Sequence, residues 1–140
     1  TSIGNNAFCG CSSLTSVTIP DSVTEIGSQA FYNCTSLTSV TIPDSVTSIG
    51  SHALYDCDSL TSVTIPDSVT LIGSNAFYEC TSLTEVYCKA TTPPIGNLYM
   101  FPSNASNSKI YVPTSSVNAY KSAANWSEYA SDIVGYDFTE

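Results

Sequence analysis

Along Leu37-Thr38-Ser39-Val40-Thr41-Ile42, the apolar residues Val40 and Ile42 alternate with the polar Ser39 and Thr41, the period of a half-buried β-strand. Pro43 stops the strand because it cannot donate to a hydrogen-bond ladder. Pro43-Asp44-Ser45 then supplies turn chemistry, with Asp44 able to bond the backbone two residues on. A second short extended piece, Val46-Thr47-Ser48-Ile49, ends at Gly50, where a residue tolerant of unusual backbone angles is convenient. Segments such as Ser28-Gln29-Ala30-Phe31-Tyr32-Asn33-Cys34 are too short for a regular helix and predict a helical turn that returns the chain to the next strand.

This whole pattern recurs every 23 residues: Leu14, Leu37, Leu60 and Leu83 keep the interval, as do Cys11, Cys34, Cys57 and Cys80. Gly4, Gly27, Gly50 and Gly73 and the Ala7, Ala30, Ala53 and Ala76 column keep it too. Each unit points about eight apolar side chains inward, in one copy Leu37, Val40, Ile42, Val46, Ile49, Ala53, Leu54 and Cys57. One unit cannot offset the conformational entropy of ordering itself, so units must stack, strand on strand. A period between about 20 and 29 carrying L-x-x-V-x-I is the signature of a leucine-rich solenoid.

The repeat decays after residue 88 without stopping. Ile95-Gly96 falls in step with Ile72-Gly73, and Ile110, Val112 and Pro113 fit a fifth strand if one residue is inserted. Thr114, Ser115 or Ser116 can cap a helix running to about Ala124, with Val117, Tyr120 and Ala124 on its inner face and Trp126, Tyr129 and Ile133 completing a seal. The expected fold is α/β by convention but mostly β. It is a right-handed solenoid of 23-residue coils, about four and a half of them, with one parallel sheet, short helical turns and a C-terminal helical cap. The domain prediction is a single unit over 1–140, regular to 88 and degenerate with a cap over 89–140. Because Thr1-Ser2-Ile3-Gly4 already sits in mid-repeat, the chain is expected to be a piece of a longer protein, with an open N-terminal edge available for self-association.

Charge narrows the partners. The net charge is −9, and residues 1–88 hold eight acids and no Lys or Arg; the three lysines, Lys89, Lys109 and Lys121, all follow. Such a surface repels nucleic acid and anionic membrane, and no apolar run is long enough for membrane insertion. Cysteines stacked at one repeat position point the same way, which is poor disulfide geometry, so Cys11, Cys34, Cys57 and Cys80 read as buried thiols acting as small hydrophobes. No cofactor and no metal is expected.

Catalysis has little to work with: one histidine, His52, reads as a solvated surface residue, there is no Arg, and no glycine-rich phosphate loop occurs. The paired acids Asp56 and Asp58 read as a solvated turn, and aligned Asp21, Asp44 and Asp67 as turn residues rather than a calcium site. Tyr32, Tyr55 and Tyr78 form an aromatic column that favours stacking. The outward strand positions make a hydroxyl grid of Ser39, Thr41, Ser62 and Thr64, which breaks into Glu85 and Tyr87 and then Lys109 and Tyr111. Recognition energy concentrates on aromatic and charged side chains, so these eight residues are the candidate binding site, its weight on the last two strands.

The unit L-x-x-V-x-I-P-x-S-V-T-x-I-G-x-x-A-F-x-x-C resembles the BspA-like (Treponema-type) leucine-rich repeat of bacterial cell-surface proteins over about residues 1–88, and Cys88-Lys89-Ala90-Thr91-Thr92-Pro93-Pro94 onward is similar to the ending of such proteins. The resemblance implies a non-enzymatic adhesion module on the cell surface or secreted. Its expected partners are macromolecules of a host or neighbouring cell, an extracellular protein or a glycan. The alternative is a structural spacer and end cap that presents another domain. The triplets Asp21-Ser22-Val23, Asp44-Ser45-Val46 and Asp67-Ser68-Val69 are similar to O-glycosylation acceptors of Bacteroides-type bacteria, and Asn33, Asn104 and Asn125 open N-linked acceptor patterns.

Overall fold

The computed structural model describes residues 2–101 and 108–138. In chain order its elements are β1 (Ser2–Ile3), β2 (Ser16–Thr18), β3 (Glu25–Ile26), β4 (Ser39–Thr41), β5 (Ser48–Ile49), β6 (Ser62–Ile65), β7 (Leu71–Ile72), β8 (Glu85–Cys88), β9 (Lys109–Pro113), α1 (Val117–Ser122) and β10 (Ile133–Tyr136). The chain is a mostly-β solenoid of leucine-rich-repeat type. Every strand pairing is parallel and joins one coil to the next, as in Val17↔Val40 and Val63↔Val86.

The expected single sheet is in fact several ladders. The alternating strands build one face, where β2 pairs with β4 and β6, β8, β9 and β10 form a separate four-stranded sheet. The second extended pieces build another four-stranded ladder, β1-β3-β5-β7, which Leu71 continues by a bridge to Ile95. Two sets of strands per coil give the chain two flat sides around one core.

The connecting segments are not helical turns. The N–H groups of Ala30, Tyr32 and Cys34 bond within the coil, to the carbonyls of Gly27, Gln29 and Phe31, while those of Gln29, Phe31 and Asn33 reach Ser51, Ala53 and Tyr55 of the next coil. A helix would spend both sets internally and leave the coils unjoined. The alternation needs left-handed residues, and Asn6, Gln29, His52 and Asn75 (φ 58 to 62) and Asn33, Asp56 and Glu79 (φ 62 to 63) supply them. Asn and Asp tolerate that region because a short polar side chain can bond locally. His52 therefore holds a backbone position, half-buried against Tyr55 at 5.2 Å, rather than standing free in solvent.

Gly50 is required by space, not by backbone angle: a Cβ there would lie 2.6 Å from the Ser28 nitrogen of the preceding coil. Side chains add rungs of their own. The thiols of Cys34, Cys57 and Cys80 donate to the carbonyls of Phe8, Phe31 and Leu54 at 3.2, 3.2 and 3.0 Å. Ser45 and Ser68, the hydroxyls of the Pro-Asp-Ser turns, donate to Val23 and Val46 at 2.6 Å, so in these turns the serine makes the inter-coil bond while Asp44 and Asp67 stay exposed. The residues expected inside one coil, Leu37 through Cys57, are all buried in one continuous core cluster. Cys11 departs from expectation: it is half-buried and packs against the edge of that cluster rather than within it.

The decayed segment holds more coil than expected. The inserted residue already precedes Ile95, which pairs with Leu71 instead of Ile72 and is 69% exposed. The same offset puts Phe101 against Phe77, stacked at 5.6 Å. A sixth strand level, β10, then pairs with β9 in the register Ile133↔Ile110, where the sequence predicts only a seal. The cap helix is shorter than expected, ending at Ser122, and has no side-chain cap bond. Ser116 turns inward to donate to the Thr91 carbonyl at 2.7 Å, and Ala123 rather than Ala124 packs on the core.

The cap side chains replace the donors of a further coil. Tyr120 donates to the Ala90 carbonyl at 2.6 Å, the Trp126 indole to Pro94 at 2.9 Å, and Asn125 to Gly96 at 3.1 Å. Tyr129 both donates to the Phe101 carbonyl and accepts from its N–H. Tyr120→Phe keeps the packing but orphans a buried carbonyl, and is expected to cost about 1–3 kcal/mol in a denaturant-unfolding comparison; equal stability would contradict the capping role.

Burial pushes the Cys34 and Cys88 thiols up to about 11, and hydrogen bonding with Cys80 together with burial raises Cys57 as well. The folded state thus holds these protons more tightly than the unfolded chain, where a thiol titrates near 9.0. Their contribution is complete below that pH and is lost as pH rises from about 9 through 11. The melting temperature should hold steady from about pH 6 to 8 and fall above 9, and in the native protein iodoacetamide should label only Cys9 and Cys11. Labelling of Cys34, Cys57 or Cys80 without unfolding would overturn this.

Candidate functional site

The outward face of the strand side follows one column from coil to coil. Thr18 pairs with Thr41 on the first sheet, and Thr64, Tyr87, Tyr111 and Val134 are register partners on the second. Beside it runs Ser16 with Ser39, then Ser62, Glu85 and Lys109. Period-two alternation sends Val40, Val63 and Val86 inward, so these neighbours must point out. All eight residues anticipated from the sequence stand on this face, and strand pairing brings Ser62, Thr64, Glu85, Tyr87, Lys109 and Tyr111 together. Ser39 and Thr41 lie across the break in the ladder between β4 and β6.

At the C-terminal end the hydroxyl face turns aromatic. The Tyr87 and Tyr111 rings stack at 4.9 Å and 15°, close to the spacing of the strands that carry them. Tyr136 meets both edge-on, at 5.4 and 5.5 Å, and Phe138 lies 4.9 Å from Tyr136 and 6.4 Å from Tyr87. The Tyr87 hydroxyl donates to Glu85 at 3.2 Å. Burial, and next the Glu85 carboxylate, push that phenol above its ordinary value and keep it a neutral donor.

Tyr136 and Phe138 were missed in the sequence, although a signal was there: Ile133-Val134-Gly135-Tyr136 repeats the apolar-first register of Ile110 to Pro113 at the full period. Lys89 was missed too. It lines the shallow groove beside Tyr87, with Thr64, Tyr136 and Phe138, and a second groove with Pro113, Thr114 and Ser115.

Other candidates fare differently. Tyr32, Tyr55, Tyr78 and a fourth ring, Tyr99, run along the turn side at 5.1, 6.2 and 5.4 Å between neighbours, a stack that joins coils. Among the described residues no group of three or more His, Cys, Asp and Glu side chains is placed to hold a metal. Asn125 of one N-linked pattern is engaged with Gly96, and Asn104 lies outside the described residues.

The family model of the BspA-type leucine-rich repeat region matches residues 1–129 in six copies. Among solved structures, a leucine-rich cell surface protein from Faecalibacterium prausnitzii is 29% identical, with a TM-score of 0.65 over 81% of this chain and 39% of its own. A leucine-rich repeat protein from Eubacterium ventriosum is 32% identical, with a TM-score of 0.59 over 71% of this chain and 26% of its own. The pneumococcal vaccine antigen PcpA, 17% identical with a TM-score of 0.67 over 96% of this chain and 39% of its own, shares the fold. The chain thus spans well under two thirds of the length of each. No curated protein matches it in sequence.

Proposed function

The chain belongs to the BspA-type leucine-rich repeat family, and from that premise we propose that it is a non-catalytic adhesion module of a bacterial cell surface or secreted protein, docking partners at the aromatic end of its outward strand face. The observation that carries this reading is the change of one outward column from Thr18, Thr41 and Thr64 to Tyr87 and Tyr111. Nothing in the packing of a coil demands tyrosine there, since three coils stack with threonine at the same place. Aromatic side chains supply large contact area at low entropic cost and dominate binding energy where they cluster. Glu85, Lys109, Ser62 and Thr64 border the cluster as a polar rim, with Ser39 and Thr41 farther out. The partner is an extracellular protein or glycan of a host or neighbouring cell. Surface placement is supported by the cell-surface protein of F. prausnitzii to which the chain is similar, and among the described residues no helix is long and apolar enough to cross a membrane.

Removing both rings by Tyr87→Ala with Tyr111→Ala should abolish most binding to arrayed matrix proteins and glycans. Its melting temperature should shift by only a few degrees, because both residues sit outside the core. Binding that survives the double substitution refutes the site. A spacer that presents another domain is the second reading, favoured by the near-identical hydroxyl face of the first three coils. Excising residues 37–59, one full period, keeps the aromatic end and shortens the stack. Adhesion by the aromatic end should survive the excision, and a docking surface spread along the whole face should not.

A further inference from the structure

Resting on that reading, we propose that the step between Thr64 and Tyr87 is a binding notch for an uncharged pyranose sugar, making the partner a neutral glycan. The step comes from the repeat itself. Tyr87 is stacked on Tyr111 on one side, and its other side looks along the column toward Thr64, its register partner one coil earlier. Threonine is too short to cover a phenol ring, so a groove of about 290 Å³ opens there, lined by Thr64, Tyr87, Lys89, Tyr136 and Phe138.

The lining is mixed in a way that suits a sugar. A pyranose presents C–H groups on its ring face and hydroxyls around its rim. The negative face of an aromatic ring attracts the C–H side, as it attracts the positive edge of another ring. Around the Tyr87 ring, four of the five lining side chains end in a hydroxyl or an ammonium, and only Phe138 is wholly apolar. An apolar peptide side chain would bury those polar ends without partners, which is costly.

Charge selects within the sugars. Lys89 is the one charged group in the lining, but Glu85 is hydrogen-bonded to the Tyr87 hydroxyl and Asp137 lies in sequence between Tyr136 and Phe138. Lys89 and Glu85 offset one another, Asp137 leaves the immediate surroundings slightly negative, and the chain as a whole carries −9. Sialylated, sulfated and uronate sugars would approach against that field. Neutral hexoses and N-acetylhexosamines would not.

The test is titration of the intact chain with neutral disaccharides of glucose, galactose, mannose and N-acetylglucosamine, and with sialyllactose and heparin-derived oligosaccharides, followed by tyrosine fluorescence. At least one neutral probe should bind, and Thr64→Tyr, which extends the aromatic ladder into the notch, should weaken it by about tenfold or more. Thr18→Tyr, two coils earlier in the same column and outside the candidate site, should leave it unchanged. Tyr136→Ala, which opens a wall instead of filling the space, should also weaken it and stands in if Thr64→Tyr folds poorly. Equal affinity in Thr64→Tyr and Tyr136→Ala overturns the notch, and binding of the charged sugars alone overturns the neutral class. If no saccharide binds while the Tyr87 and Tyr111 double substitution still abolishes binding to arrayed proteins, the sugar proposal falls and the docking face stands. If that substitution changes nothing either, both fall.

Discussion

In this chain a coil cannot satisfy its own backbone. On the turn side every second N–H points out of its coil to a carbonyl of the next, Phe8 to Ala30, Phe31 to Ala53, Leu54 to Ala76, and on the strand sides the same demand is met by parallel pairing. Buried peptide groups without partners are costly, so each coil is stable only between two others that repeat its path closely. That requirement for registry governs the rest of the structure. It keeps Gly50 free of a side chain where the backbones nearly touch. It admits cysteine in the core as a small apolar group that also donates to the coil before.

The same requirement explains the end of the stack. A last coil leaves a row of carbonyls facing nothing, and here Tyr120, Trp126, Asn125 and Ser116 deliver a phenol, an indole, an amide and a hydroxyl to that row. Large rings do two jobs at once: Trp126 and Tyr120 are fully buried, so they close the core while their polar atoms replace backbone donors. Among the described residues no buried side-chain nitrogen or oxygen lacks a partner.

Registry constrains inward and backbone-facing positions and leaves outward ones free. The outward strand column is where the chain departs from its own repeat, and it departs toward aromatic residues that gather with Tyr136 and Phe138 from the sixth strand level. A fold that must copy itself tolerates its largest changes of character on the surface, and this column is the one on which the proposed docking site rests.

The period, the strand positions, the identity of the core residues and the outward direction of Glu85, Tyr87, Lys109 and Tyr111 were legible from spacing alone, because a solenoid makes residues one period apart neighbours in space. Other features were not. The left-handed turns looked like short helices, since Asn, Gln and His do not announce a positive φ by periodicity. The sequence does not show where the extra residue enters, because Ile72 and Ile95 match by type; the pairing of Leu71 with Ile95 and the stacking of Phe101 on Phe77 show the shift. Local sequence determined which side each residue of the repeat would face, through the two-residue period of a strand. The tertiary structure decided which groups near the end of the chain meet, the aromatic cluster of Tyr87, Tyr111, Tyr136 and Phe138 among them, because those contacts depend on how backbone donors and acceptors are closed once the repeat no longer supplies them.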